Sequence, residues 1–354
     1  MSGLAPDRSV LRGRTFRTPG ERFSVRWQPR AVAVCAVLAA GLVIVAVLSL
    51  TTGDYSLSLT AVVDSLFGHG TGLESFVVST LRLPRVVTAV LVGAALGLSG
   101  AVFQSLSRNP LGSPDVVGFT SGAAAAAVLE ILVFGGGPVQ IAGASIVGGL
   151  GTALVVYLIS FRRGATAGYR LILVGIGISA MLGSVTAYLL VRANLYEAQS
   201  AQVWLIGSLN GAGWGVATPL AVALALLVPL TLTAGRSLAL LEMGDQAATA
   251  LGIAVERTRF RLVIVASALT AAAVAAAGPI AFVALAAPQL SRRLTGNSGV
   301  PLVPSAFMGA LLLSTSDFGA QRAFPLQLPV GLVTGLIGGM YLCWLLVKEW
   351  KNGK

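Results

Sequence analysis

Histidine, cysteine and lysine are nearly absent from this 354-residue chain, and acids are few: one His, two Cys and 13 Asp plus Glu. Each scarcity removes a class of chemistry. With His69 as the sole histidine, neither a Ser-His-Asp triad nor a histidine-rich metal centre has material to work with. Cys35 and Cys343 both lie inside apolar runs, which argues against a disulfide framework and for two buried thiols. The lysines are Lys348, Lys351 and Lys354, all in the C-terminal tail, so no GxxxxGK phosphate loop exists. The acids within or bordering apolar runs are Asp115, Glu130 and Asp317, all near run ends. A proton or sodium relay along carboxylates needs more of them, although carbonyls at broken helices also hold ions.

What is abundant is apolar sequence. The chain is 55% hydrophobic and 10% charged, with a mean hydropathy of +0.85, which is the balance of a polytopic membrane protein. Blocks near the length that a bilayer-spanning helix needs recur at 31–50, 86–106, 115–134, 138–160, 171–191, 216–234, 259–277 and 328–347. Two shorter blocks, 279–290 and 301–316, bring the expected spans to ten, so the fold class is all-α. Residues 1–30 form a basic arm, expected to be cytoplasmic and disordered. The apolar block after it is too long for a signal-peptide core and has no small-residue cleavage signature, which makes it a retained first helix. The transmembrane domain covers 31–350, with short cytoplasmic helices at 237–255, and 351–354 is a cytoplasmic tail.

Alternating the spans from an inside N-terminus puts twenty of the 24 Lys and Arg on inner segments, with both termini cytoplasmic. The four left outside are Arg82, Arg85, Arg192 and Arg322. Because the net charge of +11 is spread over loops beside apolar spans, membrane topology accounts for it and a nucleic-acid partner is discarded.

Small residues recur every fourth position at Gly93 and Gly97 and at Gly331, Gly335 and Gly339, a pattern that lets helices approach closely. Proline-containing breaks at 109–114, Gly278-Pro279 and Ala287-Pro288 interrupt apolar sequence, as either pathway lining or ordinary turns. Gln199 to Trp214 is too polar for a span and reads as a short outer or re-entrant helix. One polar island, Arg236 to Arg259, reads as two short helices. SLALLEMG is closed by Gly244; DQAATALG is opened by Asp245 as N-cap and closed by Gly252. Such a pair lies on headgroups or docks on a soluble partner; the acids Glu242, Asp245 and Glu256 favour the partner. Energy then comes from another subunit or from an ion gradient.

Several stretches together resemble the permease subunits of ABC importers for ferric siderophores and vitamin B12, over about residues 31 to 350. They are LRLPR at Leu81 to Arg85, GAALGLSGAVFQ at Gly93 to Gln104, RNPLGSPDVVG at Arg108 to Gly118, Leu241 to Arg259, GPIAFVALAAP at Gly278 to Pro288, and LPVGLVT at Leu328 to Thr334. WLIGSLNG, LLEMGD and the tail GGMYLCWLLVKE are similar to the ferric-enterobactin-type branch, which makes a ferric catecholate the first expected cargo.

The resemblance implies a type II ABC importer permease in a bacterial plasma (inner) membrane. Its implied partners are a second homologous permease, two copies of a cytoplasmic ATP-binding subunit, an extracytoplasmic siderophore-binding protein and membrane lipid. It implies no cofactor and no bond chemistry in this chain, ATP being used by the partner subunit. Arg82, Arg85 and Arg322 are implied to meet carboxylates of the binding protein, with Pro84 giving the first two a fixed helix start. Arg192 keeps a membrane-anchoring role. Coupling to the ATPase falls to Leu241, Glu242, Met243, Gly244, Asp245, Ala250, Leu251 and Gly252. The pathway and gate fall to Gln104, Asn109, Leu111 and Tyr169. The small hydroxyl residues of the vitamin B12 branch are absent near Gly168-Tyr169, and other departures from the family pattern are Gln289 after Pro288, Gln327 before Leu328-Pro329, and Gly335. A gradient-driven secondary transporter, a membrane scaffold, and a B12 or haem permease of the same family are the rival readings.

Overall fold

The computed structural model describes residues 14–17, 24–162, 165–166, 168–296, 299–323 and 327–352. Fifteen helices run through them. The long ones are α1 (Pro29–Thr51), α4 (Leu83–Ser107), α6 (Pro138–Ser160), α7 (Gly168–Arg192), α9 (Trp214–Thr233), α12 (Val255–Ala277), α14 (Leu302–Arg322) and α15 (Val330–Asn352). Between them lie α2 (Leu59–Leu66), α3 (Gly72–Ser75), α5 (Phe119–Leu129), α8 (Leu195–Ile206), α10 (Gly235–Glu242), α11 (Asp245–Ala250) and α13 (Val283–Thr295). Two antiparallel ribbons add the only strands among the described residues: β1 (Arg14–Arg17) with β2 (Ser24–Trp27), and β3 (Phe161–Arg162) with β4 (Ala165–Thr166). The expectation of a disordered arm over residues 1–30 is corrected where the arm is described: it carries the first ribbon, and its Pro29 and Arg30 already begin α1, while 1–13 and 18–23 lie outside the described residues, as does the end of the tail.

Among the described residues six helices are long and apolar enough to cross a membrane, and Phe119–Phe134 and Val330–Trp344 are shorter apolar helices. The two remaining expected spans, α13 and α14, are the polar ones. They carry Gln289, Ser291, Ser305, Ser314, Ser316 and Asp317 buried inside the bundle. A helix shielded from lipid by its neighbours is under no pressure to be apolar all round. By contrast α1 buries only Leu38 and Leu50 and turns Val37, Val43 and Ile44 outward, the surface of a lipid-facing helix.

The axis of the bundle is α4, which packs against α14, α12, α13 and α9. Its small residues explain the closeness. A Cβ on Gly93 would overlap the Gly309 carbonyl, and one on Gly97 would overlap that of Ser305. The stripe on α15 behaves differently: Gly331 presses on the Ile206 carbonyl, whereas Gly335 and Gly339 face open space.

Two expectations about proline are corrected. Pro84 does not start a helix after a turn, because Gly72–Ser107 is one continuous helical run. The N–H that proline lacks leaves Thr80 without its regular donor, and the ladder widens there into a π-helical stretch, Phe76–Arg82, with Leu83 N donating to the Val78 carbonyl. Nor does Pro288 break the chain: it sits inside α13, and the Ala284 carbonyl that it leaves without a donor lies against Gly100 of α4. The true break is at Gly278 to Phe282, with φ of 69° and 70° at its two ends. The thiols also differ from expectation, since Cys343 is exposed and Cys35 half-buried on outward helix faces.

Candidate functional site

Two clusters of charge lie at opposite ends of α4, some 37 Å apart for 25 residues at 1.5 Å each. At the first end, Arg82 donates Nη1 to the Leu50 carbonyl at 2.6 Å and Nη2 to that of Tyr55. Arg322, in the last turn of α14, donates to the Thr52 carbonyl at 2.8 Å and stands 3.9 Å from the fully exposed Asp54. Both guanidinium groups thus close on the loop after α1, and Gly53 is packed so tightly under them that a Cβ there would strike Arg82.

Arg85 is not part of this outward pair. One turn further into α4, it binds both oxygens of Asp317, at 3.0 and 2.8 Å, with the two side chains 15% and 7% exposed. Gln321 donates to the same carboxylate at 2.7 Å. The expectation of three arginines on one outer face is therefore corrected for Arg85, whose partner is internal. Arg192, at the end of α7, donates to the Tyr188 hydroxyl at 3.1 Å and lies over its ring, the geometry of an anchor.

At the other end, the polar island folds into the expected helix pair, joined at Gly244 with φ of 112° and ended by Gly252 with φ of 83°. Only glycine adopts such angles without strain. Leu238, Leu241 and Ala248 are buried beneath the pair, while Met243 and Leu251 are 67% and 59% exposed on its outer side. Ala250 ends α11 on the exposed side.

Asp245 is the first residue of α11 rather than its N-cap, which is Gly244. Its carboxylate is taken instead by two arginines, one on α12 and one in the turn after α4. Arg259 of α12 donates to both oxygens at 2.9 and 3.0 Å, and Arg108 beyond α4 reaches Oδ1. Arg259 also pairs with Glu256 at 2.6 Å, and Arg108 donates to the Leu241 carbonyl at 3.2 Å. Glu242 is held separately: its Oε1 accepts from Ser105 at 2.7 Å and from Arg292 of α13 at 2.9 Å.

Beside these ion pairs runs the turn after α4. Arg108 takes a left-handed conformation with φ of 49°, and Asn109 accepts from the Leu111 N–H at 2.9 Å, closing an Asx turn. Leu111 is 44% exposed. Gln104 is buried and donates to the Leu285 carbonyl at 2.9 Å. A cavity of about 220 Å³ is lined by Gln104, Arg108, Asn109, Pro110, Glu242 and Arg292. Tyr169 is not in its wall but stands 69% exposed at the start of α7. The structure thus brings Gln104 and Asn109 together with Glu242 of the helix pair and leaves Tyr169 apart.

Ser105, Arg108, Arg259, Arg292 and Asp317 escaped the sequence reading as interacting residues. The signal for Asp317 was present, since an acid inside a helix at membrane depth demands a partner. Nothing local pointed to Arg292, whose partner lies 50 positions away.

The chain is 44% identical to the ferric enterobactin transport system permease protein FepG of Escherichia coli (strain K12), covering 90% of this chain and 97% of that one. It is 36% identical to the iron(3+)-hydroxamate import system permease protein FhuG of Bacillus subtilis (strain 168), covering 89% and 96%. It is 38% identical to the cobalamin import system permease protein BtuC of Halobacterium salinarum, covering 76% and 73%. Among solved structures, an inward-facing metal-chelate type ABC transporter superposes with a TM-score of 0.81 at 32% identity, covering 90% of this chain and 99% of that one. The model of the FecCD transport family matches residues 41–348, nearly the whole helical bundle, and the chain belongs to that family.

Proposed function

We propose that this chain is the transmembrane permease subunit of an ATP-driven importer that passes a ferric siderophore, of catecholate type, from a binding protein to the cytoplasm. The observation that carries the reading is the helix pair Gly235–Ala250. Its inner face is buried, both its acids are held by other helices, and Met243 and Leu251 project free. A platform braced from behind and apolar in front suits a soluble subunit that pushes on it.

Relatives named for ferric enterobactin, ferric hydroxamate and cobalamin support a chelate cargo, and the relative named for enterobactin supports the catecholate. The iron travels inside its chelator. ATP is hydrolysed by two copies of a separate subunit, and a second, different permease completes the pathway. The binding protein meets Arg82 and Arg322, whose guanidinium groups can exchange loop carbonyls for its carboxylates. Gln104, Asn109, Leu111 and Tyr169 belong to the pathway and gate, with residues 1–30 and 351–354 on the cytoplasmic side of a bacterial plasma membrane. The second reading, a cobalamin permease, rests on the relative of that name.

Radio-iron uptake by cells lacking the gene tests this, with ferric catecholate, ferric hydroxamate or labelled cobalamin supplied, and with wild type or Arg82→Glu/Arg322→Glu restored. Loss of ferric-catecholate uptake, recovered by wild type and not by the double variant, is expected. Loss of cobalamin uptake alone would favour the second reading, and unchanged uptake of all three would overturn both.

A further inference from the structure

Two side chains one helical turn apart on α13 hold two separate parts of the chain. Gln289 donates Nε2 to the Pro110 carbonyl at 2.7 Å, inside the turn between Asn109 and Leu111. Arg292, three residues on and therefore on the same helix face, donates to Glu242 at the end of α10. Ser105 completes the second grip, donating to the same Glu242 oxygen at 2.7 Å and accepting from Arg292 at 3.2 Å. Gln289 is buried and fixed from its other side by the Tyr341 hydroxyl at 3.3 Å, so the turn is held by an anchored side chain.

A helix transmits displacement along its length with little compliance, and about 4.5 Å of α13 separates the two grips. The cavity between them, bounded by Asn109, Pro110, Glu242 and Arg292, gives the turn space in which to shift. Glu242 itself stands two residues before the Gly244 joint, so motion of the helix pair about that joint pulls on Arg292.

We propose that Gln289 and Arg292 are positioning residues that carry movement of the coupling segment to the Asn109–Leu111 turn, a role resting on the assignment of Leu241 to Gly252 as the ATPase contact. The two act in series. In the reconstituted complex with its ATPase, second permease and binding protein loaded with a ferric tris-catecholate, the quantity to measure is chelate transported per ATP hydrolysed. Arg292→Gln and Gln289→Leu are each expected to lower this ratio about tenfold, within the range of ordinary coupling energies. The double variant is expected to lose no more than either single one, and Arg292→Lys, which keeps a cation for Glu242, to retain most of the ratio.

Wild-type ratios in both single variants, or losses that multiply in the double variant, would overturn the proposal. Co-purification reads assembly; if Arg292→Gln does not assemble, Gln289→Leu and Ser105→Ala carry the test, and wild-type ratios in both overturn it. Gly244→Pro separates the two levels of argument. A wild-type ratio in Gly244→Pro sinks the coupling assignment itself, whereas an uncoupled Gly244→Pro beside a normal Arg292→Gln sinks only the role of α13.

Discussion

Arg85 and Asp317, 232 residues apart in sequence, form a two-bond ion pair between α4 and α14 where both side chains are largely withdrawn from solvent. This pair fastens the axial helix to the neighbour it touches most closely. Removing one partner leaves a buried charge alone, at a cost of about 3 kcal/mol or more, whereas replacing both by apolar groups restores much of the loss. Arg85→Met and Asp317→Asn should therefore each lower the unfolding temperature in detergent, and Arg85→Met/Asp317→Leu should recover most of it. A double variant no better than the singles would refute the account.

Helix approach gives a contrasted pair. At Gly97 a Cβ would overlap the Ser305 backbone of α14, which cannot yield as a flexible side-chain end would, while Gly335 faces open space. Gly97→Leu is expected to cost about 1–3 kcal/mol and to reduce the amount of folded protein extracted from membranes. Gly335→Ala should be neutral by size-exclusion profile and thermal unfolding.

Met243 and Leu251 form the exposed apolar pair on the outer side of the helix pair, the proposed contact for the ATPase subunit. Met243→Asp/Leu251→Asp leaves the buried side of the helix pair untouched, so the permease should still insert. Recovery of the ATPase subunit by co-purification should fall about tenfold or more, the loss expected when central apolar anchors of an interface are replaced by charge. Equal recovery would mean that the partner contacts another surface.

At the opposite end, docking through Arg82 and Arg322 is predicted to depend on ionic strength, because exposed charges are screened within about 8–10 Å near physiological salt. Binding-protein affinity should fall as salt rises in the wild type, and the salt dependence should flatten in Arg82→Gln/Arg322→Gln. Surface plasmon resonance on the permease complex in nanodiscs measures both, and an unaltered slope in the variant would remove these residues from the interface.

The legible part of this molecule is what depends on local or periodic properties of the chain. Apolar runs located the membrane helices, and Gly244 and Gly252 marked the ends of the helix pair. Helix formation and burial in lipid follow from composition over a score of residues. Pairing between distant side chains does not. Only the tertiary structure turned Arg85 inward to Asp317, gave Asp245 to two arginines instead of a cap, and set Gln289 and Arg292 of α13 against Pro110 and Glu242. The sequence determined which arginines lie near helix ends; which of them face a partner was decided by packing, since a guanidinium takes the nearest unsatisfied oxygen that the folded bundle brings within its reach.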